Sequence, residues 1–87
     1  MRDICFTVPA FDEYNDWGIE DKKIQKKVKR LIDECIKNPF EGTGKPELLK
    51  YDFKGYWSRR ITGEHRLVYK VTDDMVTITH CRNHYTD

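Results

Sequence analysis

The sequence predicts an α+β fold: an N-terminal strand, an antiparallel two-helix hairpin, then an antiparallel strand meander that forms one twisted sheet. Three observations predict it. Ile24, Val28, Leu31, Ile32, Cys35 and Ile36 recur at spacings of three and four, the period of an amphipathic helix. After Pro46 the apolar pattern changes to alternation, the period of a strand. The alternating segments are separated by connections short enough to join antiparallel neighbours directly.

The elements come in this order. Ile4-Cys5-Phe6 is an apolar run long enough for one strand. Pro9 suits the first turn of a helix, and Asp12 and Glu13 suit the early helical positions behind it. Phe11, Tyr14 and Trp17 give that helix a narrow aromatic stripe, and Gly18 marks its expected end. Asp21 is a suitable N-cap for the second helix, which Asn38-Pro39 stops. Gly42, Gly44 and Pro46 mark a loop. Residues 47–51 are expected to form a short strand with a turn at 53–55. Residues 56–61, 65–72 and 75–82 are expected as three more strands, with turns at 62–64 and 73–74. The first strand must join the same sheet, and a parallel pairing is open to it because two helices intervene. No repeat or linker interrupts the chain, so residues 1–87 read as a single domain.

A chain of 87 residues buries only about 60% or slightly more of its unfolded surface, so its core is small and oligomerisation is a plausible support. No apolar run approaches the roughly 20 residues needed to span a bilayer, and the first residues lack the apolar core of a signal peptide. The expected location is therefore cytoplasmic, without membrane attachment. Cys5, Cys35 and Cys81 are odd in number and far apart, which is not a disulfide framework. Cys81-x-x-His84 is half of a metal-ligand pattern with no second half in view, so neither metal nor cofactor is expected.

The net charge of +1 hides an asymmetry. Up to Asp21 there are six acidic residues and one basic; from Lys22 to Lys37 there are seven basic and two acidic. A basic face binds nucleic acid or an acidic protein, although a lysine-rich helix is as often simply a solvated face. The stretch from Phe40 to Tyr69 concentrates groups that handle a phosphate: Lys45, Lys50, Arg59, Arg60 and Arg66. Glu47 and Glu64 lie among them, and so do the aromatics Tyr51, Phe53, Tyr56, Trp57 and Tyr69.

If 62–64 is the turn, Arg60 faces Arg66 across two strands. Directly opposed like charges destabilise a sheet unless carboxylates or an anionic ligand answer them. Alternation puts Tyr56, Ser58, Arg60, Arg66, Val68 and Lys70 on one face, and Trp57, Ile61, Leu67, Tyr69 and Val71 on the other. The second face is apolar and should meet the helices, which leaves the arginine face open. Two readings of the arginines stand at this point: an anion site, or a solvated salt-bridge network with Glu47 and Glu64. His65 and His80 share the apolar parity and read as structural. Histidine exchanges a proton near neutral pH and tyrosine stacks on a base or binds a phosphate, which singles out His84 and Tyr85 in the tail.

GKPE at 44–47 with Lys50, WSRRIT at 57–62, EHRLVY at 64–69 and CR-HY at 81–85 together resemble the YoeB toxins, a branch of the RelE-like toxins of bacterial toxin–antitoxin systems. NPFEG after the lysine-rich helix and the acidic first helix resemble them too. Leu48 departs from the pattern, which usually has proline there, and so does Gly63 in the turn. The resemblance spans essentially the whole chain. It implies the RelE-like microbial RNase fold and a toxin that cuts messenger RNA in the ribosomal A site without a metal. It also implies a homodimer, a cognate YefM-like antitoxin, the 70S ribosome and mRNA as partners, and operator DNA bound only through the antitoxin. Carried over by motif, the catalytic residues are Glu47, Arg66, His84 and Tyr85. Lys50 and Arg60 are phosphate binders, Arg59 joins them as a neighbouring cation, and Glu64 orients the arginines.

RNA supplies its own nucleophile, the 2′-hydroxyl. A base must take its proton, an acid must protonate the leaving 5′-oxygen, and a cation must stabilise the charge on phosphorus. Glu47, His84 and Arg66 suit these roles in that order. The competing expectation is a non-catalytic RNA- or protein-binding toxin of the same fold, as in the gyrase-directed ParE branch, or an operator co-repressor acting with its antitoxin. A mere binder needs neither the acid nor the base.

Overall fold

A computed structural model describes residues 1–83. In chain order these form β1 (Asp3–Phe6), α1 (Val8–Glu20), α2 (Lys22–Lys37), β2 (Glu47–Leu48), a single 3-10 turn (Tyr51–Phe53), β3 (Tyr56–Arg60), β4 (Arg66–Val71) and β5 (Met75–His80). The five strands make one sheet in the order β1-β5-β4-β3-β2. β2, β3, β4 and β5 form the antiparallel meander, and β1 pairs with β5 in parallel. The helical hairpin supplies the crossover that a parallel pair requires.

Local chemistry sets the helix boundaries. Thr7 caps α1, its Oγ1 accepting from Ala10 N–H at 3.3 Å. Asp21 serves both helices: its N–H donates to Trp17 O at 2.8 Å, and its carboxylate accepts from Lys23 and Ile24 N–H. α1 runs past Gly18, where the chain was expected to leave the helix. The glycine is there for room instead. A Cβ at Gly18 would lie 2.5 Å from Gln25 Nε2, whose amide crosses the hairpin to donate to Tyr14 O.

α2 buries Val28, Leu31, Ile32 and Cys35, the predicted stripe, against Trp17, Ile61 just past β3, and the sheet residues Leu67, Tyr69, Val76 and Ile78. Truncating a fully buried leucine such as Leu31 to alanine costs about 2–5 kcal/mol. Trp57, Ile61, Leu67, Tyr69 and Val71 all join this helix-facing core, as alternation predicted.

Two departures shape the other face. The expected 47–51 strand stops after Leu48, because Tyr51 takes φ 50° and a left-handed residue cannot continue a strand. The second departure is a β-bulge. Val68 pairs with His80 but Tyr69 pairs with Ile78, so Thr79 is an extra residue in β5. Its Oγ1 donates to Val68 O at 3.1 Å. The bulge reverses the parity of the residues after it, and His80 leaves the core face on which simple alternation had put it.

Candidate active site

The sheet face away from the helices is built around one lateral row. Glu47 pairs with Ser58, Ser58 with Val68, and Val68 with His80. Directly paired residues point to the same side, about 5 Å apart from strand to strand. Ser58 and Val68 are buried and form the floor. Arg60 and Arg66 lie directly opposite each other, as the turn at 62–64 predicted, two residues along the same face from Ser58 and Val68. Phe53 of the 3-10 turn packs edge-on to Tyr56 at 5.8 Å and to His80 at 6.1 Å, closing the other end of the face.

Each charged member is held differently. Glu47 lies exposed on the edge strand β2. Lys50 is exposed and stands at the N-cap of the 3-10 turn. Arg60 is exposed, and its backbone N–H donates to Gly44 O at 2.7 Å, docking the 40–46 loop on β3. That contact needs glycine, because Gly44 has φ 87° and a Cβ there would meet Arg60 O at 2.9 Å. Arg66 is half-buried and braced from one side only: its Nη1 donates to Thr62 O at 2.8 Å and to His65 O at 3.1 Å. Among the described residues neither Arg60 nor Arg66 pairs with a carboxylate, so the salt-bridge network left open by the sequence is not what these residues form.

Arg59 does not join the phosphate-binding cations. It is fully buried on the helix side of the sheet, and its five N–H donors are all used. Nε donates to Tyr69 Oη at 3.1 Å, Nη1 to Thr43 O and Glu34, and Nη2 to Asn38 O and Glu41 O. The Tyr69 hydroxyl in turn donates to Pro39 O at 2.6 Å. Hydrogen bonds from Thr43, together with the Arg59 guanidinium, hold the Glu34 carboxyl below its usual range. Arg59 is the post on which the 38–43 loop is hung. Glu64 also departs from its expected place beside the arginines: its carboxylate faces His65 Nε2 at 3.7 Å.

His84 and Tyr85 lie outside the described residues. The stem that leads to them is well tied. Cys81 N–H donates to Glu13 at 2.8 Å and Cys81 O accepts from Trp17 Nε1 at 2.8 Å. The Arg82 guanidinium lies over the Trp17 ring at 4.5 Å and pairs with Glu20. Asn83 N–H donates to His65 Nδ1 at 2.8 Å, and Asn83 O accepts from Arg66 N–H at 2.9 Å. The chain is therefore delivered to the backbone of Arg66.

His80 is the residue that sequence reasoning missed. It sits on the site face with Nδ1 3.1 Å from Thr79 Oγ1, and burial lowers its pKa. Nothing in the alternation of β5 signals it, because only the bulge puts it there. Among the described residues no group of three metal-ligating side chains converges, and Cys81 is buried, its burial pushing the thiol up to about 12. No helix is long and apolar enough to cross a membrane among the described residues.

Comparison with known proteins is unambiguous. Residues 6–85 match the profile of the YoeB-like toxin of bacterial type II toxin–antitoxin systems. The toxin YoeB of Escherichia coli K12 is 55% identical over 82 residues, 94% of this chain and 98% of that toxin. A YoeB dimer from Staphylococcus aureus superposes with a TM-score of 0.88 at 45% identity, covering 97% of this chain and 98% of that one. The toxin in a heterotetrameric YoeB–YefM toxin–antitoxin complex from the same species gives 0.87 at 44% identity, covering 98% and 99%.

Proposed function

The chain belongs to the YoeB-like toxin family of bacterial type II toxin–antitoxin systems, and from that premise we propose that it is a ribosome-dependent endoribonuclease that cuts mRNA in the A site and so inhibits translation. The observation that carries the reading is Glu47 and Arg66 on one sheet face, with Arg60 beside them and no carboxylate answering either arginine among the described residues. A scissile phosphate seated between the arginines supplies the missing anion.

In this mechanism Glu47 takes the proton of the ribose 2′-hydroxyl as its oxygen attacks phosphorus. The P–O5′ bond breaks and His84 protonates the departing oxygen, leaving a 2′,3′-cyclic phosphate and a free 5′-hydroxyl. Arg66 meets the charge that builds on the phosphoryl oxygens. Its bidentate fork suits that task better than an ammonium, and its Nη1 contacts with the turn hold it in place without neutralising it. Arg60 and Lys50 bind the flanking backbone, and Tyr85 stacks on a base or contacts the phosphate. Arg59 takes no part, and Glu64 acts through His65.

Residues 1–87 act as one cytoplasmic toxin domain. The partners are the ribosome with its mRNA, a second copy of the chain, and a YefM-like antitoxin through which alone it reaches operator DNA. The staphylococcal YoeB dimer and YoeB–YefM complex support the last two. Primer extension on mRNA in a translating extract, with and without ribosomes, tests the reading. Wild type should create new 5′ ends at codons only when ribosomes are present. Glu47→Gln and His84→Ala should each lower the rate by about 10²- to 10⁴-fold. Unchanged cleavage by these variants, or growth arrest without any cleavage, would refute it, the second outcome favouring the non-catalytic binder.

A further inference from the structure

The least expected contact in the molecule is the one that ties Asn83 to His65. Chain ends normally fray, yet three consecutive residues before the tail are each anchored. α1 holds Cys81 and Arg82 through Glu13, Trp17 and Glu20, while β4 and the turn before it hold Asn83. Asn83 takes φ 70°, a left-handed turn that asparagine tolerates better than most residues. Its N–H and C=O then bond to His65 and Arg66, two consecutive residues. The His65 ring is fixed by its surroundings. It packs edge-on to Trp17 with centroids 4.8 Å apart, and Glu64 Oε2 lies 3.7 Å from its Nε2. An imidazole nitrogen that accepts carries no proton, so the ring hydrogen sits on Nε2, toward the Glu64 carboxylate.

The geometry points to His65 as a positioning residue: its Nδ1 accepts from Asn83 N–H and so latches the residue that immediately precedes the proposed acid, His84. This goes beyond the nuclease reading and, for its kinetic consequence, rests on it. The latch and the proposed phosphate site meet at adjacent residues of one strand end, because Arg66 both donates its N–H to Asn83 O and offers its guanidinium to phosphate. His65 touches no reacting atom. Loss of the latch leaves every catalytic group in the chain but frees the stem at Asn83 from which the proposed acid follows, which lowers turnover and leaves RNA binding alone.

Two measurements on the full-length protein test this. Nitrogen-15 NMR of the His65 ring and amide exchange at Asn83 read the latch directly. Steady-state cleavage reads its consequence in wild type and in two variants. His65→Leu fills the volume without an acceptor, and His65→Asn returns an acceptor near the place of Nδ1. The expected wild-type result is the Nε2–H tautomer and a protected Asn83 amide. His65→Leu should lose that protection and drop kcat roughly three- to tenfold, the worth of one ordinary hydrogen bond, with KM unchanged; His65→Asn should recover most of both. An Nδ1–H tautomer, an Asn83 amide that exchanges equally fast in wild type and His65→Leu, or a change confined to KM would overturn the proposal. If wild type cleaves no RNA, the nuclease reading fails on its own, and the ring tautomer and Asn83 exchange still decide the latch. The same two wild-type measurements decide it if His65→Leu does not fold.

Discussion

Replacing Arg59 by leucine should unfold the protein rather than disarm it. The substitution keeps most of the volume and removes five donors, stranding the carbonyls of Asn38, Glu41 and Thr43, the Tyr69 hydroxyl and part of Glu34. A buried acceptor left without a partner costs about 1–3 kcal/mol. These costs do not simply add, since the 38–43 loop can turn some carbonyls to water. Removing one member of a buried charged set costs about 3–5 kcal/mol, and that is the expected loss. An 87-residue domain has about 4–13 kcal/mol in total. The variant therefore loses roughly a quarter of its stability or more, with a fall in Tm of at least about 12 °C. Urea denaturation gives the answer directly: the midpoint should drop at constant m. Cleavage per folded molecule, measured well below Tm, should stay close to wild type. A variant of normal midpoint that no longer cut RNA would refute the reasoning and return Arg59 to the substrate.

Three further outcomes are expected. Glu34 has a folded pKa below its ordinary value of 4.5, so the unfolded chain binds its proton first as pH falls; the stability it contributes is present above about 4.5 and is lost as pH drops through the folded pKa. Glu34→Gln should flatten that acid limb in urea midpoints taken across pH. Burial pushes the Cys35 thiol up to about 11 and Cys81 to about 12, whereas Cys5 is exposed; iodoacetamide at neutral pH should label Cys5 in the native protein and the other two only after denaturation, as mass spectrometry reads it. Gly44→Ala should cost about 1–3 kcal/mol in the same urea assay, because it combines a left-handed φ with a 2.9 Å approach to the Arg60 carbonyl.

The features that could be read in advance are those that depend on near neighbours in the chain. The apolar stripe of α2 and its Asp21 cap are set within a few residues, and both are found as expected. So is the facing of Arg60 and Arg66, which comes from a three-residue turn and strict alternation. The pairing of β1 with β5 was left open, since strands so far apart in sequence carry no local mark of their partner.

The misplacements have the same origin. Tyr51 leaves the strand path for a left-handed turn, which no neighbouring residue announces. His80 was assigned to the core by counting in twos, and one extra residue, Thr79, moved it to the opposite face. Arg59 reads in sequence like its neighbour Arg60. What separates them is that one faces the carbonyls of a loop some twenty residues earlier and the other faces solvent. The sequence by itself determined the order of the main elements, the register of the Arg60–Arg66 hairpin and the family, because periodicity, capping and turn length are local properties and the motifs are long. Only the tertiary structure decided which arginine is a structural post, which histidine lies on the arginine face of the sheet and which one accepts from Asn83. A side chain's role depends on what stands opposite it, and the chain brings that partner in from far away.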